Sequence, residues 1–309
     1  MLGALTIDKP EGITSHDVVA RVRRATRIRR VGHAGTLDPF ATGVLVCCIG
    51  PATRLVQFLV GLDKEYEATV RLGYATDTQD CTGTQITPLR PSSELTVDDL
   101  RRVLTQFTGA QLQTPPMFSA KKIGGERLYK AAREGRSVER EAVNITVYSI
   151  ELIEDEASPL KENEDGTRDF RVRLRCSSGT YVRTIAHDIG ERLGVGAHLT
   201  TLRRTEVGHF TLASALTLDE AERMGIDELN NALISPSQML AHLPVLVLNE
   251  EDVKRVINGR AVALSEKHSM GGEQIAQPIS LCDSKGVLVA VGNSDPVKLL
   301  VNPSVVLAT

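Results

Sequence analysis

The run Val44–Ile49 (VLVCCI) is apolar at every position. A strand with one wet face alternates apolar and polar residues, so an unbroken run reads as a strand buried in the interior of a fold. The stretch before it, VGHAGTLDPFATG, is rich in glycine and has no helical or strand period. Whatever the fold, it must cover this strand and carry a loop that feeds directly into it.

The rest of the chain divides into further strands and helices. Leu5 and Ile7 mark a first strand, followed by the loop Lys9-Pro10-Glu11-Gly12. Ser15 is the expected N-cap of a helix with Asp17 in its first turn. Val18, Val19 and Val22 give that helix an apolar face, with Arg21, Arg24 and Arg27 on the other. Tyr66–Gly73 (YEATVRLG) alternates as a half-buried strand does, and a polar loop, TDTQDCTGT, follows it. Thr96–Asp99 has the form of a capping box opening a helix with Leu100, Val103, Leu104 and Phe107 on one face and Gly109 as its stop. Asn144–Ile153 and Asp169–Cys176 read as a long hairpin whose acidic connector, DEASPLKENEDGTR, is expected to be mobile. Alternation aims Arg171, Arg173 and Arg175 at one face of its second strand. Thr184 is the expected cap of a helix running to Leu193, with Gly194 as the stop.

A boundary is expected near Ser235–Pro244. Beyond it, short strands at Val245–Leu248, Ile279–Cys282, Val287–Val291 and Val297–Val301 surround one helix capped by Asn249. That pattern predicts a small β-barrel of about 65 residues. The 309 residues thus fit two domains at roughly 150 residues each.

No run of 18 apolar residues exists, and MLGALTIDKP lacks the basic and apolar regions of a secretory signal. Five cysteines without C-x-x-C spacing fit reduced thiols, so a cytoplasmic location is expected. The net charge of −3 conceals an asymmetry: residues 1–136 carry 19 Lys and Arg against 14 Asp and Glu, the remainder 17 against 25. Arg21–Arg30 (RVRRATRIRR) holds six arginines and no acid. Such a run is either a solvated face or a contact for a polyanion.

Familiar templates for phosphate, acyl-transfer and zinc chemistry are absent, and Gly194-Val195-Gly196 follows a helix rather than a strand. Asp77 and Asp80 suit turn capping better than a metal site. Nothing demands a cofactor or a metal.

Chemistry therefore concentrates in Gly32–Pro39 (GHAGTLDP). Two glycines in four residues permit close approach by a partner, and Pro39 keeps Asp38 out of the helical region. Asp38 is either a reactive carboxylate or the cap of a turn that starts at Pro39. His33 is either a loop residue or a ligand contact. If the chain stays extended to Thr184, Tyr181 and Arg183 share a face, where the guanidinium would hold a carboxylate ionised and the tyrosine would offer a hydroxyl. A packed tyrosine and a structural arginine are the alternative. Tyr66, in a chain without tryptophan, is a second aromatic platform or an ordinary strand residue.

These residues fall within a series of ordered blocks. They are KPEGITSHDVV at 9–19, GHAGTLDPFATGVLVCCIGPATR at 32–54, KEYEATVRLGYATDTQDCTG at 64–83, PPMFSAKKIGGERLYKAAREG at 115–135, SSGTYVRTIAHDIGERLG at 177–194 and HLTTLRRTEVGHF at 198–210. In sequence and order the blocks resemble bacterial tRNA pseudouridine synthases of the TruB family, over most of residues 5–215. The resemblance implies an α+β fold: a mixed, largely antiparallel central sheet with flanking helices. It divides the chain into a catalytic domain at 1–238, with an RNA-gripping insertion at 113–136, and a PUA-like RNA-binding domain at 244–309.

By the same resemblance Asp38 matches the catalytic aspartate, Tyr66 the tyrosine stacked on the target base, Arg183 the partner of the carboxylate, and Tyr181 a pocket tyrosine. Leu202 matches an apolar pocket residue, His33 a histidine that fills space left by flipped bases, and Lys9 a lysine supporting the site. Lys121, Lys122, Arg127, Lys130 and Arg133 would contact phosphates. The implied reaction isomerises the T-loop uridine at position 55 of tRNA without metal, cofactor or guide RNA. A monomer is the default expectation, and the absence of a long apolar run predicts no membrane partner. A guide-dependent synthase subunit, and a non-catalytic RNA-binding protein or tRNA-folding chaperone, are the alternatives.

Overall fold

A computed structural model describes residues 1–119, 122–123, 125–154, 159–264, 278–295 and 297–307. The chain opens with β1 (Gly3–Lys9), α1 (Ser15–Thr26), β2 (Val31–His33), β3 (Thr42–Ile49), α2 (Val56–Leu59) and β4 (Lys64–Leu72). It continues through α3 (Val97–Thr105), β5 (Gly109–Gln113), β6 (Lys122–Ile123), β7 (Glu126–Arg127), α4 (Leu128–Arg133), β8 (Val143–Leu152), β9 (Leu160–Glu162) and β10 (Arg168–Cys176). Then come α5 (Val182–Leu193), β11 (Ala197–Val207), β12 (Phe210–Thr211), β13 (Leu216–Thr217), α6 (Leu218–Arg223), α7 (Ile226–Asn231) and α8 (Pro236–Met239). The last elements are β14 (Val245–Val247), α9 (Glu250–Ile257), β15 (Val262–Ala263), β16 (Ile279–Cys282), β17 (Leu288–Asp295) and β18 (Leu300–Val306).

The principal sheet runs β13-β1-β3-β11-β4-β10-β8-β5, with β2, β12 and β9 added on β3, β11 and β10. Its pairings are antiparallel except β1 with β13 and β3 with β11. The expected mixed, largely antiparallel sheet is thus observed. The apolar run is β3, buried from Gly43 to Ile49. On one face Leu45, Cys47 and Ile49 pack with Val18, Val19 and Val22 of α1. On the other, Val44, Val46 and Cys48 belong to a core with Leu55, Leu59, Val291, Val305 and Leu307. Two covered faces leave no position for a polar side chain, which is why the run does not alternate.

β14 to β18 form a second, five-stranded sheet in the order β14-β16-β17-β18-β15, a half-barrel where a small barrel was expected. Asn249 caps α9 as expected, by accepting from the Asp252 amide.

Three local expectations change. Thr14, not Ser15, caps α1: its hydroxyl accepts from the Asp17 amide while the Asp17 carboxylate accepts from the Thr14 amide. Ser15 is released for another task. α3 stops at Thr105, and Gly109 opens β5 instead of ending the helix. α5 starts at Val182, so Tyr181 is its cap and Arg183 and Thr184 lie in its first turn. The chain is not extended to Thr184; Tyr181 at the cap and Arg183 in the first turn do not share a strand face, though both line one cleft.

The arginine run is also partly consumed within the protein. Arg21 donates to Glu222 and Asp219 of α6, Arg23 to the Val31 carbonyl and Arg30 to the Thr53 hydroxyl. Arg24 lies 3.9 Å from Glu222. Arg27 and Arg29 are exposed and have no partner among the described residues. In the hairpin, Arg173 pairs with Glu67 at 2.7 Å, and Arg171 lies 3.6 Å from the same carboxylate. Part of the connector forms β9 against β10, whereas residues 155–158, and with them that part of the expected mobility, lie outside the described residues.

Candidate active site

The loop between β2 and β3 carries Asp38 and is held from four directions. Gly35, at φ +99°, turns the chain in the region that favours glycine. The Arg204 guanidinium donates to the Gly35 carbonyl at 3.0 Å and to the Val44 carbonyl at 2.8 Å. Ser15 donates to the Leu37 carbonyl and accepts from the Leu37 amide, at 3.0 and 2.8 Å. Lys9 is fully buried and donates to the carbonyls of Pro39 at 3.1 Å and Ala41 at 2.6 Å, on the chain just past Asp38. The amide of Gly12 adds a bond to the Pro39 carbonyl at 2.8 Å. Lys9 is pushed down to about 8 by its burial, against the pull of Asp38. It is a clamp on the loop.

Asp38 is half-buried, and its carboxylate meets Arg183 Nε at 2.9 Å. Arg183 is 4% exposed and fully engaged. It donates to the Thr78 carbonyl and to the Phe118 carbonyl, each at 2.8 Å. Asp80 lies behind it, 3.7 Å from Arg183 Nη1. The other oxygen of Asp80 does cap a turn, accepting from the Thr82 amide and from the hydroxyls of Thr78 and Thr82. Asp80 thus caps a turn, as expected from the sequence, and its second oxygen faces Arg183. Burial pushes the Asp38 carboxyl above its usual range; Arg183 opposes the shift and Asp80 adds to it.

Tyr66 comes from the centre of the sheet. In β4 every second residue from Lys64 to Leu72 is buried, and register places Tyr66 opposite Arg204 and Ala68 opposite Leu202. Cross-strand partners share a face, so the phenol, the buried guanidinium and Leu202 stand together. Desolvation pushes the Tyr66 phenol up, with Arg204 pulling the other way. β3 and β11 can approach this closely because Gly43 has no Cβ; one would sit 2.1 Å from the Arg204 carbonyl oxygen.

A cleft of about 240 Å³ results, with Asp38, Tyr66, Tyr181, Arg183 and Leu202 in its wall. Five of the residues singled out from the sequence are thus brought together. Lys9 and His33 are not in that wall: Lys9 braces the loop from behind, and His33 sits on β2 opposite Cys47. Lys121 lies outside the described residues, and so do the side chains of Lys122, Arg127, Lys130 and Arg133, whose backbones form β6, β7 and α4. Their expected phosphate contacts gain no support from position.

Sequence reasoning missed Arg204, Lys64, Ser15 and Ser119. Lys64 and Ser119 line the cleft. Arg204 had a signal: in the β11 stretch Leu-Arg-Arg it stands two residues from Leu202, hence on the same face of a strand. Ser15 and Ser119 had none, since their tasks depend on segments distant in the chain.

The sequence profile of the TruB family pseudouridylate synthase N-terminal domain matches residues 23–182, and that of the tRNA pseudouridylate synthase B C-terminal domain matches residues 183–240. The chain belongs to the TruB family. It shares 51% identity over 232 residues with the tRNA pseudouridine synthase B of Opitutus terrae, covering 75% of this chain and 92% of that one. With the protein of the same name from Geobacter sulfurreducens it shares 44% over 296 residues, covering 95% and 94%. Among solved structures it is similar to a Cbf5-Nop10-Gar1 complex, with a TM-score of 0.73 and 27% identity over 99% of this chain and 84% of that one. An H/ACA RNP bound to a substrate RNA gives a TM-score of 0.72 and 25% identity, over 100% and 86%. Membership in the TruB family makes the chain an RNA pseudouridine synthase, an isomerase. Asp38, Tyr66 and Tyr181 fall within the first profile, and Arg183 opens the second.

Proposed function

We propose that this TruB-family enzyme isomerises the T-loop uridine at position 55 of tRNA to pseudouridine, with Asp38 as the catalytic carboxylate. The observation that carries the reading is the 2.9 Å pairing of Asp38 with a buried arginine in a cleft walled by Tyr66 and Leu202. In the reaction the bond from C1′ to N1 breaks, the uracil turns, and C1′ bonds to C5. The C5 proton leaves and N1 is protonated, so the composition of the nucleoside is unchanged. Arg183 holds Asp38 ionised and oriented against the cost of its burial. Tyr66 stacks on the base, and Leu202 bounds it. The cleft is on the scale of one nucleoside, so the uridine must first be extruded from its stack, at a cost of a few kcal/mol offset by stacking and phosphate contacts.

Relatives at 44–51% identity carry the name tRNA pseudouridine synthase B, whereas the H/ACA assemblies are similar at 25–27%. That difference favours free tRNA as substrate over a guided RNA. No helix among the described residues is long and apolar enough to cross a membrane. A tRNA transcript whose position-55 uridine is changed to cytidine should gain no pseudouridine, while the parent transcript gains one; modification elsewhere in the altered transcript would refute the assigned position.

A further inference from the structure

Residues 113–119 open the 113–136 region, and three bonds fix this segment to the start of α5. At its near end the Gln113 side-chain amide donates to the Tyr181 carbonyl at 3.0 Å and its oxygen accepts from the Tyr181 amide at 2.8 Å. At its far end the Phe118 carbonyl accepts from Arg183 Nη2 at 2.8 Å. Ser119 itself is 4% exposed and lines the same cleft as Asp38, and its backbone carbonyl accepts from the Tyr129 amide at 3.1 Å. Its hydroxyl, however, is buried without a hydrogen-bond partner. A buried hydroxyl left unpaired costs free energy. Thr6, Ser92 and Ser280 also carry such hydroxyls among the described residues, and of these four Ser119 alone lines the cleft.

We infer that the Ser119 hydroxyl hydrogen-bonds the uridine held in the Asp38 cleft, making Ser119 a substrate-contacting residue of the isomerisation. The inference rests on the proposed function of that cleft. Uridine offers both carbonyl acceptors and N3–H and ribose O–H donors, and a serine hydroxyl can serve either kind. The free protein carries the unpaired group, and the extruded nucleoside satisfies it. Bonds to Tyr181 and Arg183 at the two ends of the segment keep the hydroxyl in register with the residues that perform the chemistry.

The contact has a signature that a structural serine lacks. Ser119→Ala removes a group unpaired in the free protein, so its thermal midpoint should be equal to or above that of the parent. Its kcat/KM for release of tritium from a 5-tritiated uridine tRNA transcript should fall about tenfold. Ser119→Thr, which keeps the hydroxyl, should recover most of that loss, and the Kd for tRNA should change less than about twofold because phosphates dominate it. An unchanged kcat/KM in Ser119→Ala overturns the inference, as does a lowered midpoint that Ser119→Thr restores, since either places the hydroxyl outside substrate recognition. Wild-type release that disappears in Asp38→Asn upholds the reading of the cleft whatever Ser119 does. Absence of wild-type release defeats that reading and the inference together.

Discussion

At the scale of single residues, the role proposed for Asp38 requires a carboxylate kept ionised where burial opposes it. Arg183 sits between Asp38 at 2.9 Å and Asp80 at 3.7 Å, one cation facing two acids. The direction of the Asp38 shift fixes the sign of the pH dependence. In the proposed reaction Asp38 acts as a carboxylate, so activity is expected above its pKa and is lost below it. Burial and Asp80 move that loss above the ordinary carboxylate range, and Arg183 holds it down. Arg183→Met removes the opposing positive charge. Its acidic limb of kcat/KM should therefore move to higher pH than the parent's, with turnover at neutral pH lower by about 100-fold. A pH–rate profile checks both, and a limb unmoved or displaced to lower pH contradicts the electrostatic role. Asp38 and Arg183 were legible because each belongs to a short, ordered block. Arg204 and Ser15 were not, because their partners lie far away in the chain: Arg204 meets Gly35 across 169 residues and Ser15 meets Leu37 across 22.

At the scale of elements, strand periods were read well and helix starts less so. The alternation of β4 and the unbroken run of β3 follow directly from one-sided and two-sided burial. The start of α5 was misplaced because Thr184 looks like a cap, yet its hydroxyl donates to Gln79 while the Tyr181 carbonyl already accepts the first helical amides. Tyr181 has no side-chain cap bond of its own. Gln113, buried at the end of β5, compensates by pairing with the Tyr181 backbone from 68 residues away. This pair aligns three things at once: the sheet edge, the segment that carries Ser119, and the helix that carries Arg183. Gln113→Leu leaves a buried amide and carbonyl without that partner, for a loss of about 2 kcal/mol in urea unfolding. The same substitution should lower kcat by more than it raises the Kd for tRNA. An unfolding midpoint and kcat equal to the parent's would show that the pairing positions nothing.

At the scale of the whole molecule, the two sheets share a core along β3. Leu55 and Leu59 meet Val291, Val305 and Leu307 there, and Arg54 donates to the Val306 carbonyl. This explains why the run Val44–Ile49 carries no polar residue, a property visible in the sequence, while the identity of its cover was not. The half-barrel was visible only as a set of short strands, since closure depends on pairings that spacing does not specify. Charge also reads differently at this scale. A net charge of −3 disfavours RNA until the excess of basic residues in 1–136 is separated from the acidic remainder. Even then Arg21, Arg23 and Arg30 are engaged with protein groups, so a count of arginines overstates the surface available to phosphate.

We expect the purified chain alone to convert the uridine of free tRNA, with Asp38 as the carboxylate that makes conversion possible. Tritium release from a 5-tritiated uridine tRNA transcript, measured without guide RNA for the parent and Asp38→Asn side by side with their tRNA affinities, tests it most directly. The account predicts stoichiometric release by the parent, and none by Asp38→Asn despite a Kd within about threefold of the parent's, because phosphate contacts dominate binding. Release by Asp38→Asn at a rate near the parent's would contradict it.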